Sequence, residues 1–371
     1  MIAALLLAGF AASADEAGQP DNSAQPIDDI VVTARRREES LQEVPISITA
    51  LTGVQLEARL IHAMDQLGDT IPNLQFDKAA PSSGSSSVGQ IFIRGIGQSD
   101  YTPVTDPGVA MYIDGIYIGR SPGNVLDLVD IDRIEVLRGP QGTLFGRNSI
   151  GGAIKVHSRL PSFADVDNRV ELRLGNDALQ SLTLRWNHAF SDSLATNIAI
   201  GRLQRDGYVV RPFDGIMTGD RDRWSARASV RWEPSDVVAA SLVIDYTNID
   251  ENGAPVVSGG VNDLQPFATF GNAVLESCDA VVINPNFDGT PANGPPTFPP
   301  PGAPTGSAPG CYGANSQPGP FISEGSFPVM SQLDSGGAAL TIDWNFAERW
   351  SLRSTTGFRE MSMVSSRDGD N

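Results

Sequence analysis

The second half of this chain alternates apolar and polar residues so regularly that it must form amphipathic β-strands. Residues 223–233 (RWSARASVRWE), for example, place tryptophan, alanine or valine at every second position, opposite serine, arginine and glutamate. A period of two gives a strand one apolar and one polar face. Most of these segments have roughly the 9–11 residues of a tilted transmembrane strand. Seven segments follow the pattern, at 169–175, 180–190, 194–205, 222–233, 237–250, 337–346 and 350–360.

The connections between these strands alternate in length. Those at 191–193, 234–236 and 347–349 are very short, whereas those at 206–221 and 251–336 are long. Outer-membrane barrels have short periplasmic turns, long outer loops and aromatic residues at the strand ends. A secreted β-sandwich would also have amphipathic strands but would not explain this alternation, so we favour a barrel. Aromatic residues stand at strand ends here at Trp186, Phe190, Trp224, Trp232, Trp344 and Trp350.

An apolar run at the N-terminus indicates export. Met1–Ala14 (MIAALLLAGFAASA) is too short to span a bilayer as a helix, and it ends in small residues. We therefore interpret residues 1–14 as a signal peptide cleaved after Ala14. No Lys or Arg precedes the run, so either the start is placed late or the true N-terminus is missing. A buried N-terminal segment is the alternative interpretation.

Composition narrows the classes of function. The net charge is −18, with 26 Lys and Arg against 44 Asp and Glu, which argues against nucleic acid as a partner. Only three His and two Cys are present, so we expect no zinc or iron–sulfur site and no cofactor. Neither a Ser/His/Asp triad nor a catalytic carboxylate pair can be argued from spacing, so an enzyme is not expected.

Residues 15–41 form a small polar tether that contains one β-prone island. The island, DIVVTA at 29–34, precedes an arginine-rich run that we interpret as solvated. We expect the backbone of the island to be exposed and unpaired, and so able to add as a strand to the sheet edge of another protein. By spacing alone, an ordinary first strand of a domain would look the same.

Residues 42–158 are predicted to form a compact mixed domain. Asp114-Gly115 inside MYIDGIYI predicts a β-hairpin. The glycine-rich stretch at 139–152 (GPQGTLFGRNSIGG) lacks the lysine of a phosphate-binding loop, so we interpret its glycines as turn formers. Helical spacing from Thr52 to about Leu67 predicts a buried stripe of Val54, Leu56, Leu60, Ile61 and Met64.

The long connection at 251–336 is rich in proline, with 12 of the 26 prolines between Pro285 and Pro328. Cys278 and Cys311 lie within it, 33 residues apart. In an exported protein, an isolated pair of this kind most simply closes a disulfide. The chain has no C-x-x-C motif of the kind used in redox catalysis, so we expect a structural bond.

Together these segments resemble TonB-dependent outer-membrane receptors. The resemblance rests on IDDIVVTARRREESLQEVPISITAL, IFIRGIG, YIDGIYIGR and DIDRIEVLRGPQGTLFGRNSIGGAIKV, followed by the amphipathic strands, and it covers nearly the whole chain after residue 27. It implies an α+β plug domain at 42–158, then antiparallel transmembrane strands of a barrel of ~22 strands in the bacterial outer membrane. It also implies active uptake driven by the periplasmic protein TonB. The TonB box would be Asp29, Ile30, Val31, Val32, Thr33 and Ala34.

The resemblance also implies roles for plug residues. Arg94 and Arg138 resemble plug arginines that pair with acidic residues of the barrel wall, because a buried guanidinium needs such a partner. A local ion pair with Glu135 or Asp132 is the alternative. Asp100, Tyr101 and Asp106 are expected on the outward, ligand-facing side of the plug. The residues expected to shape the plug are Gly95, Asp114, Gly115, Gly139, Pro140, Gly142, Gly146, Gly151 and Gly152.

The chain departs from the family pattern at its end. We find seven of ~22 strands, and SSRDGDN at 365–371 lacks the usual terminal strand ending in an aromatic residue. We therefore expect the first part of a receptor at 165–371, an incomplete barrel. A ferric siderophore is the default ligand, since iron uptake is the commonest role in the family. Expected partners are TonB with its inner-membrane complex, outer-membrane lipid and the ligand. The alternative is a plug without a barrel, acting as a soluble periplasmic binding or signalling protein.

Overall fold

The computed structural model shows a mixed α/β domain packed against long antiparallel strands. The predicted signal peptide, most of the tether, Asp100, Tyr101 and residues 256–328 of the Pro-rich loop, with Cys278 and Cys311, lie outside the residues it describes. Those residues are 31–33, 39–78, 85–99, 105–120, 127–164, 168–211, 214–255, 329–347 and 350–366.

The N-terminal domain is built on a five-stranded mixed sheet. Its strands are β3 (Ile48–Thr52), β7 (Val109–Ile113), β8 (Ile116–Ile118), β9 (Ile131–Arg138) and β10 (Gly152–Ser158). They lie in the order β3-β9-β10-β7-β8. Strand β10 pairs parallel with β7 and antiparallel with β9, so β10 lies at the centre of the sheet. A separate two-stranded ribbon pairs β1 (Val31–Val32) with β2 (Glu39–Ser40).

Shorter elements cover this sheet. A second, three-stranded sheet contains β4 (Leu74–Lys78), β5 (Gly89–Ile93) and β6 (Ile96–Gly97). The helices are α1 (Gly53–Ala58), a 3₁₀ helix (Met64–Asp69) and α2 (Gly142–Phe145). Within the described residues, no helix has the length and apolar character needed to cross a membrane.

The domain has an apolar core of its own. Leu67, Ile93, Ile134 and Ile154 are fully buried in a cluster that joins the two sheets to the helices. A second cluster on the other side of β9 and β10 contains Val32, Val44, Ala50, Ala110, Tyr112, Leu137, Phe145 and Ala153. Burial of this kind, about 25 cal/mol for each Å² of apolar surface, is what stabilises a small domain.

The Asp114-Gly115 hairpin is confirmed as the turn between β7 and β8. Asp114 has φ 48° and Gly115 φ 83°, the left-handed pair that a two-residue hairpin turn requires. The Asp114 carboxylate accepts hydrogen bonds from the backbone N–H and the hydroxyl of Ser158, at 2.7 and 2.6 Å. The turn is thereby tied to the end of β10.

The predicted helix from Thr52 to Leu67 is wrong in its length and in its buried face. Helix α1 starts at a capping box between Thr52 and Gln55 but ends at Ala58. Leu60 has φ 55°, so the chain reverses there before the 3₁₀ helix begins. Val54 and Leu60 are consequently 72% and 70% exposed, although Leu56 and Met64 are buried as predicted.

The second part of the chain is a seven-stranded antiparallel sheet, which we call the wall sheet. All seven predicted strands are present, and the order follows the sequence. The loop between the third and fourth of them holds the short pair β14 (Val209–Val210) and β15 (Met217–Thr218). The strands are β11 (Arg169–Leu174), β12 (Gln180–Ser191), β13 (Leu194–Arg205), β16 (Arg221–Ser235), β17 (Val238–Glu251), β18 (Met330–Ala347) and β19 (Trp350–Ser366).

The two faces of the wall sheet differ in composition and surroundings. On β13, Leu194, Ile198 and Ile200 are exposed on the outer face. Their neighbours on the inner face, Ala195, Asn197 and Ala199, are buried beneath the N-terminal domain. The same alternation leaves Trp186, Trp224, Trp232 and Trp344 between 42% and 50% exposed. The outer face is therefore apolar and exposed. The inner face carries small or polar side chains and is covered by the N-terminal domain.

Candidate functional site

Small residues on the inner face let the N-terminal domain approach the wall sheet closely. A Cβ added to Gly201 on β13 would lie 2.9 Å from a methyl group of Val129. A Cβ added to Gly357 on β19 would lie 2.4 Å from the side chain of Ile116 in the hairpin. A side chain at either position would force a local shift of its neighbour, so the glycines set how closely the domain and the sheet approach.

A buried ion-pair network joins the domain to β16 and β17. The Arg223 guanidinium, 2% exposed, lies 2.5 Å from the Glu251 carboxylate and 3.2 Å from Asp127 of the N-terminal domain. Arg221 pairs with the other oxygen of Glu251 at 3.0 Å. Two arginines of the wall thus balance one carboxylate from the wall and one from the domain. Breaking such a buried pair is strongly destabilising.

Asp130 forms a second contact with the wall. Its carboxylate accepts a hydrogen bond from the Asn197 amide at 2.5 Å. Arg159 and Arg185 lie at 3.4 and 3.6 Å, beyond good hydrogen-bonding distance. Burial therefore raises the pKa of Asp130 above its ordinary value, although the nearby arginines oppose the shift. Arg227 of β16 donates to the Val129 carbonyl at 2.5 Å and so holds the same turn.

A third cluster of charged side chains lies on the five-stranded sheet itself and binds Thr33. We call Thr33, Arg133, Glu135, Lys155 and His157 the Glu135 cluster. The Thr33 backbone N–H donates to Glu135 at 2.9 Å, and the Lys155 ammonium donates to the Thr33 carbonyl at 2.8 Å. Glu135 is fully buried and lies 3.0 Å from Lys155, 3.0 Å from Arg133 and 3.2 Å from His157.

The cluster keeps Glu135 ionised and His157 neutral. Burial alone would raise the pKa of Glu135, but the His157 hydrogen bond and the Lys155 charge outweigh it and hold that pKa well below its usual range. Burial lowers the pKa of His157, and Glu135 offsets this only in part. At neutral pH the cluster therefore has two cations, Arg133 and Lys155, around one carboxylate.

Comparison with known proteins matches most of the N-terminal domain to one family model. The family model of the TonB-dependent receptor plug domain matches residues 40–153. The match covers about a third of the chain and lies in the N-terminal domain, which we call the plug. TonB-dependent receptors are transporters rather than enzymes, and they reside in the bacterial outer membrane.

Curated relatives match part of their own length. The vitamin B12 transporter BtuB of Vibrio cholerae is 27% identical over 205 residues, which is 54% of this chain and 32% of that protein. The pesticin receptor of Yersinia pestis is 28% identical over 204 residues, 54% of this chain and 28% of the receptor. The matched region thus spans about a third of these relatives.

Solved receptors have the same fold. The ferric yersiniabactin uptake receptor FyuA from Yersinia pestis gives a TM-score of 0.62 at 18% identity, covering 87% of this chain and 42% of FyuA. FpvA from Pseudomonas aeruginosa bound to pyoverdine gives 0.65 at 13% identity, covering 90% and 40%. The fold class, a plug followed by the antiparallel strands of a partial barrel, is confirmed.

The backbone of the predicted TonB box is not free in the part that the structure describes, and only the Val31 side chain is exposed there. Val31 and Val32 pair with Glu39 and Ser40 in the two-stranded ribbon, and Val32 is fully buried in the second apolar cluster. Thr33 is held by the Glu135 cluster. The expectation of a free backbone was wrong because Val31 and Val32 pair with β2, Val32 packs in the second apolar cluster, and Thr33 hydrogen-bonds to buried side chains. Asp29, Ile30 and Ala34 lie outside the described residues.

The two plug arginines are not paired with acids among the described residues. Arg94 is exposed, and Arg138 donates to the Pro72 carbonyl at 3.3 Å. The local alternative is also not seen among the described residues, where Glu135 pairs with Arg133, Lys155 and His157, and Asp132 pairs with Arg133. In the described region the polarity is reversed, since plug carboxylates meet wall arginines. Pairing of Arg94 and Arg138 with a barrel wall stays a prediction.

Asp106 is the one candidate ligand-facing residue within the described part of the chain. Its carboxylate is 40% exposed, lies 2.5 Å from Arg120 and 3.6 Å from Arg147, and accepts a hydrogen bond from Arg120 that lowers its pKa.

The expected structural glycines lie in turns and close contacts. A Cβ on Gly152 would lie 2.2 Å from the Leu137 carbonyl oxygen, and one on Gly151 2.6 Å from the Ile96 carbonyl. Gly142 opens α2, and Pro140 is exposed just before it. Positive φ angles are found at Gly95, Gly115, Gly139, Gly146 and Gly152.

The sequence interpretation missed the charges that join plug and wall. Asp127, Asp130 and Lys155 gave no local signal, because their partners lie far away in the chain. Arg223 did give one: it belongs to the polar face of β16, which has arginine at 221, 223, 227 and 231. Arginines that face a plug, and not solvent, need carboxylates opposite them. This pattern could therefore have predicted acidic residues on the facing surface of the plug.

Proposed function

We propose that this chain is the N-terminal part of a TonB-dependent transporter that takes up a scarce nutrient across the outer membrane. The observation that carries the proposal is the way the plug is fixed to the wall sheet. Buried ion pairs hold it on the inner face, while the outer face is apolar and exposed. An apolar outer face is suited to lipid, and a plugged interior is suited to gated passage.

Asp29–Ala34 is the segment that we assign to TonB. Its β-prone sequence suits strand addition to a sheet edge, and it lies directly before the plug. A pull on this segment would act on the plug through the Glu135 cluster, because Thr33 is bonded to β9 and β10. We also assign Arg94 and Arg138 to contacts with the barrel wall. Cys278 and Cys311 are assigned to a disulfide within the long loop.

A ferric siderophore is the ligand class that we favour. The solved relatives include a ferric yersiniabactin uptake receptor and FpvA bound to pyoverdine. The curated relatives include vitamin B12 transporters, so cobalamin is the competing ligand. Asp100, Tyr101 and Asp106 are the residues we place on the outward side of the plug to meet the ligand.

The test is uptake by cells that express the complete gene under iron limitation. Radiolabelled iron bound to a hydroxamate or a catecholate siderophore, and radiolabelled cobalamin, would be offered to cells with and without the gene. The proposal expects gene-dependent uptake of one iron chelate, lost when TonB is deleted or the proton gradient is collapsed. Gene-dependent uptake that persists without TonB would contradict active transport, and uptake of cobalamin alone would overturn the iron assignment.

A further inference from the structure

Two cavities lie in the seam where the plug meets the inner face of the wall sheet. The first, of about 240 Å³, lies between the plug residues at 53–66 and 127–131 and the strands β11, β12, β13 and β16. The second, of about 1110 Å³, lies between the β7–β8 hairpin with β9 and β10 on one side and β12, β13 and β16 to β19 on the other. Arg185 of β12 lines both cavities, so they are neighbours.

The two cavities follow one another along the wall strands. The first reaches Arg205, the last residue of β13, and Arg221, the first residue of β16, beside the long connection between these strands. The second reaches Asp343 and Arg353, close to the short turn between β18 and β19. Joined end to end, the cavities would form one passage from the long connections to the short turns.

A pair of buried side chains separates the cavities. Asp130 lines the first cavity and Asn197 the second, and the Asn197 amide donates to the Asp130 carboxylate at 2.5 Å. Both side chains are buried. Arg227 adds one bond from the wall, to the neighbouring Val129 carbonyl. Asp130 and Asn197, together with Arg185, therefore form the partition between the two cavities.

The partition is held by few bonds. Atom Oδ1 of Asp130 and atom Oδ1 of Asn197 are buried and have no hydrogen-bond partner among the described residues. Arg223, by contrast, donates three hydrogen bonds, two to Glu251 and one to Asp127 of the plug. The seam thus has a firm anchor at Arg223 and a contact that is easier to break between the cavities.

We propose that the Asp130–Asn197 pair is a gate in this seam, and that parting the pair joins the two cavities into one polar passage that favours anions. The inference rests on the proposed function, because it takes the wall sheet as part of a membrane barrel around the plug. Parting the pair leaves the Arg223 anchor in place, so the plug can stay docked while the gate opens.

The charge of the lining is the reason for the preference for anions. Arginine and lysine outnumber carboxylates among the residues that line each cavity, by seven to five in the first and six to three in the second. A cleft lined mainly by one sign of charge raises the local concentration of ions of the opposite sign. An opened passage should therefore conduct chloride better than potassium.

The experiment measures ion conductance through the full-length receptor in planar lipid bilayers bathed in potassium chloride. Asn197→Ala removes the bond that closes the gate, so the time-averaged conductance should rise about tenfold over the parent. Asp130→Ala removes the same bond from the plug side and should have a similar effect. Under a potassium chloride gradient, the reversal potential of both variants should show chloride as the preferred ion. Unchanged conductance in both variants would overturn the gate, and a preference for potassium would overturn the anion passage.

Ser331→Ala is the matched control, since it also removes a buried polar side chain of the wall that bonds to the plug. Ser331 lies 3.1 Å from the Ser85 hydroxyl and accepts a hydrogen bond from the Ser86 backbone N–H at 3.0 Å. It lines neither of the two cavities. Conductance in this variant should stay close to that of the parent. An equal rise in Ser331→Ala and Asn197→Ala would show a general loosening of the plug and would overturn the gate.

The proposed function is judged from a different result. Uptake by the parent that does not need TonB would contradict the proposed function, whereas the gate is judged from the conductance of the variants relative to the parent.

Discussion

The plug and the wall sheet bury opposite kinds of residue. In the plug, Ile93, Ile134 and Ile154 are fully buried in a common core. In the wall sheet, Ile198 and Ile200 are about 40% exposed, while Asn197 and Ser229 on the other face are buried. The plug therefore carries its own hydrophobic core, whereas the wall sheet exposes an apolar outer face and packs its inner face against the plug.

This difference explains where charge is buried. A plug that relied on its core alone would have no use for carboxylates on the surface that meets the wall. Asp127 and Asp130 lie on that surface, where they face Arg223 and Arg185 of the wall. The contact between the two regions contains buried ion pairs, whereas the plug core and the outer face of the wall sheet are apolar. Four predictions test this division, and the one with the largest expected effect comes first.

Arg223→Met should be the most damaging single change at the contact. It leaves Asp127, whose side chain is 13% exposed, without its ion pair and Glu251 with Arg221 alone. We expect a loss of about 3–5 kcal/mol in the free energy of unfolding, measured by urea titration in lipid vesicles. The control is Arg353→Met, whose pair with Asp343 is 46% and 33% exposed, and which should cost about 0–1 kcal/mol. Equal losses would mean that the plug does not dock through Arg223.

Ile154→Ala should destabilise the plug by about 3 kcal/mol, because it leaves a cavity at a fully buried position of β10. Val54→Ala, at a position 72% exposed on α1, should change stability by less than about 0.5 kcal/mol. The comparison is made by hydrogen exchange of plug amides in the full-length receptor. Similar effects of the two changes would refute an independent plug core.

Leu340→Lys and Thr341→Lys should differ although the residues are neighbours on β18. Leu340 is 40% exposed on the outer face, so a lysine there would enter lipid at a cost of about 2–4 kcal/mol. Thr341 lines the cavity between plug and wall, where a lysine stays hydrated and should cost less than about 1 kcal/mol. The readout is the free energy of unfolding in vesicles. If Thr341→Lys is the worse variant, the two faces have been assigned the wrong way round.

The smallest expected effect is a pH dependence in the loop before β16. Burial raises the pKa of Asp220 from 3.8 to about 6, despite a hydrogen bond from the Asn252 backbone N–H. A raised carboxyl pKa gives a contribution to stability that is complete below pH ~4 and is lost as the pH rises through about 6. The stability of the parent relative to Asp220→Asn should therefore fall between pH 4 and 7. Parallel pH curves would show that Asp220 is not buried.

The sequence predicted the wall sheet better than the plug, for a physical reason. A period of two over ten or more residues specifies both a strand and its faces, so all seven wall strands were found. In the plug, the helical pattern from Thr52 did not reveal that Leu60 reverses the chain at φ 55°. Nor could a local pattern show that Thr33 meets Glu135 and Lys155, which lie 102 and 122 positions away. Such contacts depend on the tertiary fold.

The most direct test that the plug docks on the polar inner face of the wall sheet is a disulfide between the two. Val129→Cys and Gly201→Cys are combined in outer-membrane preparations of the full-length receptor, because a Cβ on Gly201 would lie 2.9 Å from Val129. The structure predicts a cross-link under mild oxidation, detected as a linked peptide by mass spectrometry, and none for Val129→Cys with Ile200→Cys, whose side chain is on the outer face. A cross-link to position 200 but not to 201 would contradict a plug docked on the inner face of a membrane wall.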